Sequence, residues 1–376
     1  MKKRIAGGNA MPAILLAVAI LTTACMNINE IQQQALAPPN PNQLTQNYLA
    51  ALKTGDNGQR TEAAWELGKP YVHRTPEVVP ALIQALKDPY PKVRANAAGA
   101  LSRIGEEALP ARDALHEALG DTYGNTVLNA AVALRRLNTP KESLIPAVRK
   151  TLYDQPGSTR VGAARLLRQW GVKDKETLDV LVDVLADSRE QARLDAMAEL
   201  SERKLKPVPK TISTPVIGLL TDPSEKVRMQ AAIFLGNSYI PIPAAKEPLI
   251  AALDDPSDHV VKFVVRALGN YGPSAKSAVP RLYAIVDRHP DDSVRGETCE
   301  ALAHIGDPKK EIAYRLVKVL GNDPGADARS GAATGLRDLR YRDAVVLDAL
   351  KTAAEGDKNS LVRTAASIAY GQLKGK

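Results

Sequence analysis

Aromatic residues are scarce in this 376-residue sequence: 2 Trp, 2 Phe and 11 Tyr make up only 4% of it. A core rich in Ala and Leu instead suits thin packing of helix on helix. Cysteine is nearly absent too. Two residues, Cys25 and Cys299, exclude a disulfide-rich scaffold and a four-cysteine zinc site. There is no H-E-x-x-H, C-x-x-C, G-x-S-x-G or phosphate loop. His73, His116, His259, His289 and His304 share no spacing that would suit a metal. No cofactor, metal or small-molecule substrate is therefore indicated. Lys+Arg at 50 against Asp+Glu at 42 give a charge of +8, too mild for a chain this long to announce a nucleic-acid binder. What the chain does have is a hydrophobic fraction of 44%, enough to exclude a wholly disordered protein.

The start of the chain reads as an address. Met1-Lys2-Lys3-Arg4 is basic, and Met11 to Ala24 is apolar and uncharged. That run is shorter than the ~20 residues a membrane-spanning helix needs, and it has the form of a secretory signal. It ends at Cys25. Ala24-Cys25 resembles the bacterial lipobox, whose cysteine is lipidated and becomes the new N-terminus. Leu21 lies one position earlier than the lipobox leucine, and Thr22 occupies that leucine's place. The resemblance implies a signal peptide over 1–25, lipidation at Cys25, and a membrane partner through the lipid anchor. It also implies export to the cell envelope, at the outer membrane or the periplasmic face. Removing residues 1–24 leaves 47 − 42 = +5 charges. Residues 26–41, rich in Asn, Gln and Pro, read as a tether.

The remainder, 42–376, repeats one pattern. Asp88-Pro89, Val93-Arg94, Ala97-Ala98, Leu101 and Ile104-Gly105 recur at Asp222-Pro223, Val227-Arg228, Ala231-Ala232 and Leu235. They recur again at Asp323-Pro324, Arg329, Ala332-Ala333 and Leu336. The arginine slot falls at 60, 94, 127, 160, 193, 228, 261, 295, 329 and 363, with Val127 and Val261 filling two of the places. A period of about 34 residues signals stacked repeats. Each copy holds two segments of helical periodicity; in the second, Val93, Ala97, Leu101 and Ile104 share one face. Pro80, Pro146 and Pro280 read as openings of first helices. Gly105, Gly171, Gly272 and Gly306 read as the stops of second helices. Cys299 and Trp170 fall in core slots.

This frame resembles the HEAT-repeat family, in particular its short bacterial, phycobilisome-lyase-like form. The resemblance implies an all-α solenoid of about ten helix pairs forming a curved superhelix, with the second helices lining the concave face. It also implies a structural ladder in which each slot arginine bridges to an aspartate of the next repeat. The ladder residues here are Asp88, Arg94, Asp154, Arg160, Asp187, Arg193, Asp222, Arg228, Arg295, Asp323, Arg329 and Arg363. Some relatives are enzymes. The iron-binding deoxyhypusine hydroxylases use several His-Glu pairs, and here His116-Glu117 is the only one. A bilin-lyase-like role fits poorly with an export signal.

On the second helices the stripe opposite the core carries Arg103, Arg135, Arg136, Arg165 and Arg168. It then turns acidic at Asp195, Glu199, Glu202, Glu297 and Glu300, with Ile233 and Phe263 between. These arginines, read as exposed and of little weight in folding, form a candidate partner-binding surface; chance clustering on a solvated face is the competing account. Guanidinium forks suit carboxylates and phosphates. The expected function is a membrane-tethered scaffold holding another protein in its groove, with an anionic envelope polymer or glycan as the alternative ligand. The Pro-rich stretches Lys204 to Thr211 and Asn237 to Pro243 are expected to disturb the step around repeat six.

Overall fold

The computed structural model describes residues 41–72, 75–237 and 241–375. Cys25, the signal segment and residues 26–40 of the tether lie outside the described residues. Among the described residues the chain is helical, without a strand. Its contacts divide after Pro140 into two units. The irregular stretches near repeat six, where a disturbed step was expected, fall inside the second unit.

The first unit holds three helix pairs: α1 (Pro41–Thr54) with α2 (Asn57–Glu66), α3 (Val78–Ala85) with α4 (Pro91–Ile104), and α5 (Arg112–Ala118) with α6 (Gly124–Arg136). The second unit holds seven. They are α7 (Lys141–Lys150) with α8 (Gly157–Gln169), α9 (Lys175–Val184) with α10 (Glu190–Glu202), and α11 (Lys210–Gly218) with α12 (Glu225–Gly236). Then come α13 (Lys246–Ala251) with α14 (Asp258–Asn270), α15 (Val279–Arg288) with α16 (Asp292–Ile305), α17 (Lys309–Asn322) with α18 (Ala326–Leu339), and α19 (Ala344–Gly356) with α20 (Ser360–Lys374).

The repeated residues explain this arrangement. In each unit the second helices stack on one another, α2–α4–α6 and α8–α10–α12–α14–α16–α18–α20. Small residues permit the approach. Ala97 and Ala98, Ala231 and Ala232, and Ala332 and Ala333 are fully buried. A Cβ on Gly331 would lie 2.4 Å from the carbonyl oxygen of Gly296, so α16 and α18 meet backbone to backbone. Leucines fill the space between paired helices; Leu82, Leu101, Leu144, Leu181 and Leu302 are essentially sealed from water. Truncating Leu101 to Ala removes such contacts and costs about 2–5 kcal/mol.

Gly105, Gly171, Gly272 and Gly306 all sit at positive φ, between 57° and 86°, as helix stops require. Two details differ from the sequence reading. Pro146 lies inside α7, because the helix begins earlier, at Lys141. Trp170 is half-buried as the cap of α8 rather than sealed in the core, and its carbonyl accepts Lys141 Nζ at 2.6 Å. Cys299 is fully buried, and that burial pushes its thiol well up from the ordinary value.

Candidate partner-binding surface

Two sets of side chains lie outside the leucine core: the arginines and aspartates at the turns, and the polar stripe of the second helices. The turn set is regular. Except at Asp154, which is followed two residues on by Pro156, the turn aspartates accept the amide two residues on, as Asp88 does from Tyr90 at 2.8 Å and Asp323 from Gly325 at 2.8 Å. That bond orients the carboxylate toward the preceding repeat. There the slot arginine meets it through a two-pronged fork. Arg94 reaches Asp121 at 2.6 and 2.8 Å, Arg228 reaches Asp255 at 2.6 and 3.0 Å, and Arg295 reaches Asp323 at 2.8 and 2.6 Å. Arg60 pairs in the same way with Asp88, and Arg329 with Asp357. The third nitrogen, Nη1, donates to the carbonyl of the arginine's own turn, at 2.9 Å from Arg94 to Asp88 and 2.8 Å from Arg329 to Asp323. One guanidinium thus ties three points of two repeats.

The carboxyls register this. Burial pushes Asp88 and Asp323 up, but the arginine and amide hydrogen bonds outweigh it and hold both below the ordinary carboxylate value. Asp357 is likewise held low, chiefly by Arg329.

Several ladder members behave differently. Arg193 is nearly buried and reaches Asp222 with one nitrogen at 2.8 Å, leaving its buried Nε without a hydrogen bond. Arg160 does not pair with Asp187. It turns to Asp183 at 3.3 Å and to the carbonyl of Leu152, while Asp187 is taken by Arg189 from its own turn at 2.7 and 2.9 Å. The competitor is two residues away in sequence and needs no partner from another repeat. Asp154 is exposed and stands at φ 53°, a left-handed backbone unlike that of the other turns. Arg363 keeps only the bond to its own turn, at 2.7 Å to the carbonyl of Asp357.

The second-helix stripe is less free than its sequence suggests. Asn96 Nδ2 donates to the carbonyl of Thr61 at 2.8 Å, and Asn129 Nδ2 to that of Ala95 at 2.9 Å. Arg103 Nη2 donates to the carbonyl of Trp65 at 2.9 Å, and Arg136 Nη1 to that of Ser102 at 2.9 Å. Each bond crosses from one second helix to the previous one. Arg103 also stacks on the Trp65 ring, 4.3 Å from its centroid. Burial lowers the Arg103 pKa, an effect opposed by Glu66 and reinforced by Arg136. The recurrence of Asn one repeat apart, at 96 and 129, is the signal from which these bonds could have been read.

Arg165, exposed as expected, and the half-buried Arg168 are engaged as well, and here the reading of a separate acidic end that includes Glu199 is corrected. Glu199 is not part of an acidic surface: its side chain is fully buried. Arg168 holds it at 2.6 and 3.3 Å, Arg165 at 3.4 Å and Arg203 at 3.5 Å. The carboxylate is buried because three guanidinium groups surround it. The Arg203 pKa is lowered by burial, against the pull of Glu199. Glu297 is likewise paired, with Arg266 at 2.7 and 2.8 Å.

What stays open in the first unit is Arg135, exposed and unpaired among the described residues, with the outer part of Arg136 and the exposed rings of Trp65 and Tyr71. Arg135 and Arg136 occupy the last turn of α6, where the helix dipole also favours cations. In the second unit, Ile233 and Phe263 are half-buried, with Arg266 over the Phe263 ring. Among the described residues no group of His, Cys, Asp and Glu could hold a metal ion.

A family model of HEAT repeats matches residues 45–135, 212–287 and 279–371. The chain belongs to the HEAT-repeat family. No curated protein sequence matches it. Among solved structures, this HEAT-repeat chain is similar to importin beta crystallised in ammonium sulfate. The TM-score is 0.62 at 14% identity, over 94% of this chain and 54% of that one. It is also similar to importin beta crystallised in polyethylene glycol, with a TM-score of 0.56 at 16% identity, over 98% and 56%. A mutant of Kap121p matches at 0.50 and 16%, over 89% and 41%. The chain thus spans about half the length of these importin beta structures. At such identities the likeness concerns the fold: a HEAT solenoid built from paired helices.

Proposed function

We propose that this HEAT-repeat protein is a membrane-tethered scaffold that holds another protein against its second-helix face. In the first unit an acidic segment of that partner would seat on Arg135 and Arg136. The observation that carries this reading is the unpaired, exposed Arg135 beside Arg136. The other arginines of the stripe hold backbone carbonyls or Glu199; Arg136 gives one nitrogen to the Ser102 carbonyl and is otherwise exposed, and Arg135 gives none among the described residues. Exposed arginine is a side chain that interface anchors favour. No catalytic role is assigned to the chain.

The test is capture from detergent-solubilised envelopes, with wild type and the Arg135→Glu/Arg136→Glu variant as baits. The variant should retain its melting temperature and lose the captured protein, and wild-type capture should weaken as salt rises. Unchanged capture by the variant would place the partner elsewhere. Recovery of a polysaccharide instead of a protein would favour the anionic-polymer reading. The tether is tested separately: fatty-acid labelling should mark the wild type and not Cys25→Ser.

A further inference from the structure

In the ladder register, the residue six before the slot arginine supplies the carboxylate, as Asp88 does before Arg94 and Asp323 before Arg329. Before Arg295 that residue is His289, and the slot of the preceding repeat is Val261. Both partners of the usual rung are replaced at this joint. The imidazole still performs the local half of the aspartate's role: Nδ1 accepts the amide of Asp291 at 3.2 Å. Its Nε2 lies 3.6 Å from a carboxylate oxygen of Asp258, in the first turn of α14. The His289 side chain is only 15% exposed. Its own carbonyl accepts Arg295 Nη1 at 2.6 Å, so the turn itself is held as in the other repeats.

We infer that the joint between α14 and α16 carries a proton-operated rung: neutral His289 holds the Asp291 amide, and protonated His289 releases it and pairs with Asp258. A ring nitrogen that accepts an N–H carries a lone pair, so the neutral ring has its proton on Nε2. That tautomer is assigned from the hydrogen-bond geometry. A second proton, taken from solvent onto Nδ1, would set one N–H against another, and the ring must then leave the amide. The same proton gives the ring a charge facing Asp258. Across the joint Asp258 faces the ring, and Lys262 of the same α14 reaches Ser293 at the start of α16 at 2.7 Å; Arg288, Asp291, Asp292 and Arg295 are the charged residues near His289 in sequence, and His259 follows Asp258. The Arg–Asp rungs keep both charges throughout the range of about pH 5–8 in which histidine titrates, because Arg holds its proton and Asp has already lost its own. Grip at this joint therefore changes with pH while the Arg–Asp rungs hold.

The experiment is an NMR titration of the full chain carrying 15N-histidine, with hydrogen exchange of the segment around Asp291, between about pH 7.5 and pH 5.5. At the upper pH His289 should show the Nε2–H tautomer. On acidification the Asp291 amide should lose about two- to tenfold of its protection, corrected for intrinsic exchange, which is the net worth of one hydrogen bond. His289→Asn, which keeps an acceptor and cannot titrate, should show no such loss. An Nδ1–H tautomer, or protection that stays constant in the wild type, would overturn the inference. The wild-type titration alone decides this even if a variant does not fold.

Discussion

The two ends of the second unit obey one sequence pattern and arrive at different electrostatics. Along α16, α18 and α20 the pairs Arg295–Asp323 and Arg329–Asp357 are nearly buried, forked and repeated without change. Along α8 and α10 the rung fails: Arg160 leaves Asp187 for the exposed Asp183, and the charge instead collects at Glu199 among Arg165, Arg168 and Arg203. The difference shows that the slot arginine makes its rung only where no nearer cation claims the aspartate. Arg189 does so at Asp187, since a contact two residues away requires no second repeat to be in place.

The largest effect should come from breaking an intact rung. Arg329→Ala leaves Asp357 without its guanidinium, and urea unfolding should show a loss of about 3–5 kcal/mol. A loss below about 1 kcal/mol would mean that the buried rung behaves like a surface pair. Glu199→Ala, at the other end, should approach the same size, because three guanidinium groups would lose their common carboxylate. Its melting curve should recover in part when Arg203, the most buried of the three, is also replaced by Met.

Acid sharpens the comparison next. Asp323 and Asp357 lie below the ordinary carboxylate value in the folded chain, so their contribution is complete above an unfolded pKa of about 3.9 and is lost as pH falls through their folded values. Stability measured from about pH 6 downward should hold and then fall below about pH 4, and the fall should be shallower in Asp357→Asn. The smallest effect should be Arg160→Ala. Its partner Asp183 is mostly exposed, so the loss should stay near 1 kcal/mol, chiefly the hydrogen bond to Leu152. A loss comparable to that of Arg329→Ala would refute the distinction between intact and failed rungs.

Much of the architecture was legible because it repeats. Val93, Ala97, Leu101 and Ile104 in one copy, and their counterparts in the others, are local facts of periodicity. Helical period and buried face therefore followed from residue order alone, as did the left-handed stops at Gly105, Gly171, Gly272 and Gly306. The alanine pairs likewise announced close helix packing. The arginine stripe was less legible. Arg103 and Arg136 stand on the polar face of their helices, yet each reaches a carbonyl on the previous second helix. Helical periodicity assigns a face, but it does not say which backbone acceptor stands opposite.

By itself, then, the sequence determined the repeat, its period, its helix pairs and its small-residue seams, because these depend on neighbours within one copy. Only the tertiary structure decided which charges are satisfied. Glu199 could become a buried anchor because Arg165 and Arg168 come from the previous second helix and Arg203 follows it on its own. His289 could face Asp258 because stacking α16 on α14 brings residues far apart in sequence to 3.6 Å. Electrostatic pairing depends on distance in space, and in a solenoid that distance is set by the stacking of one copy on the next.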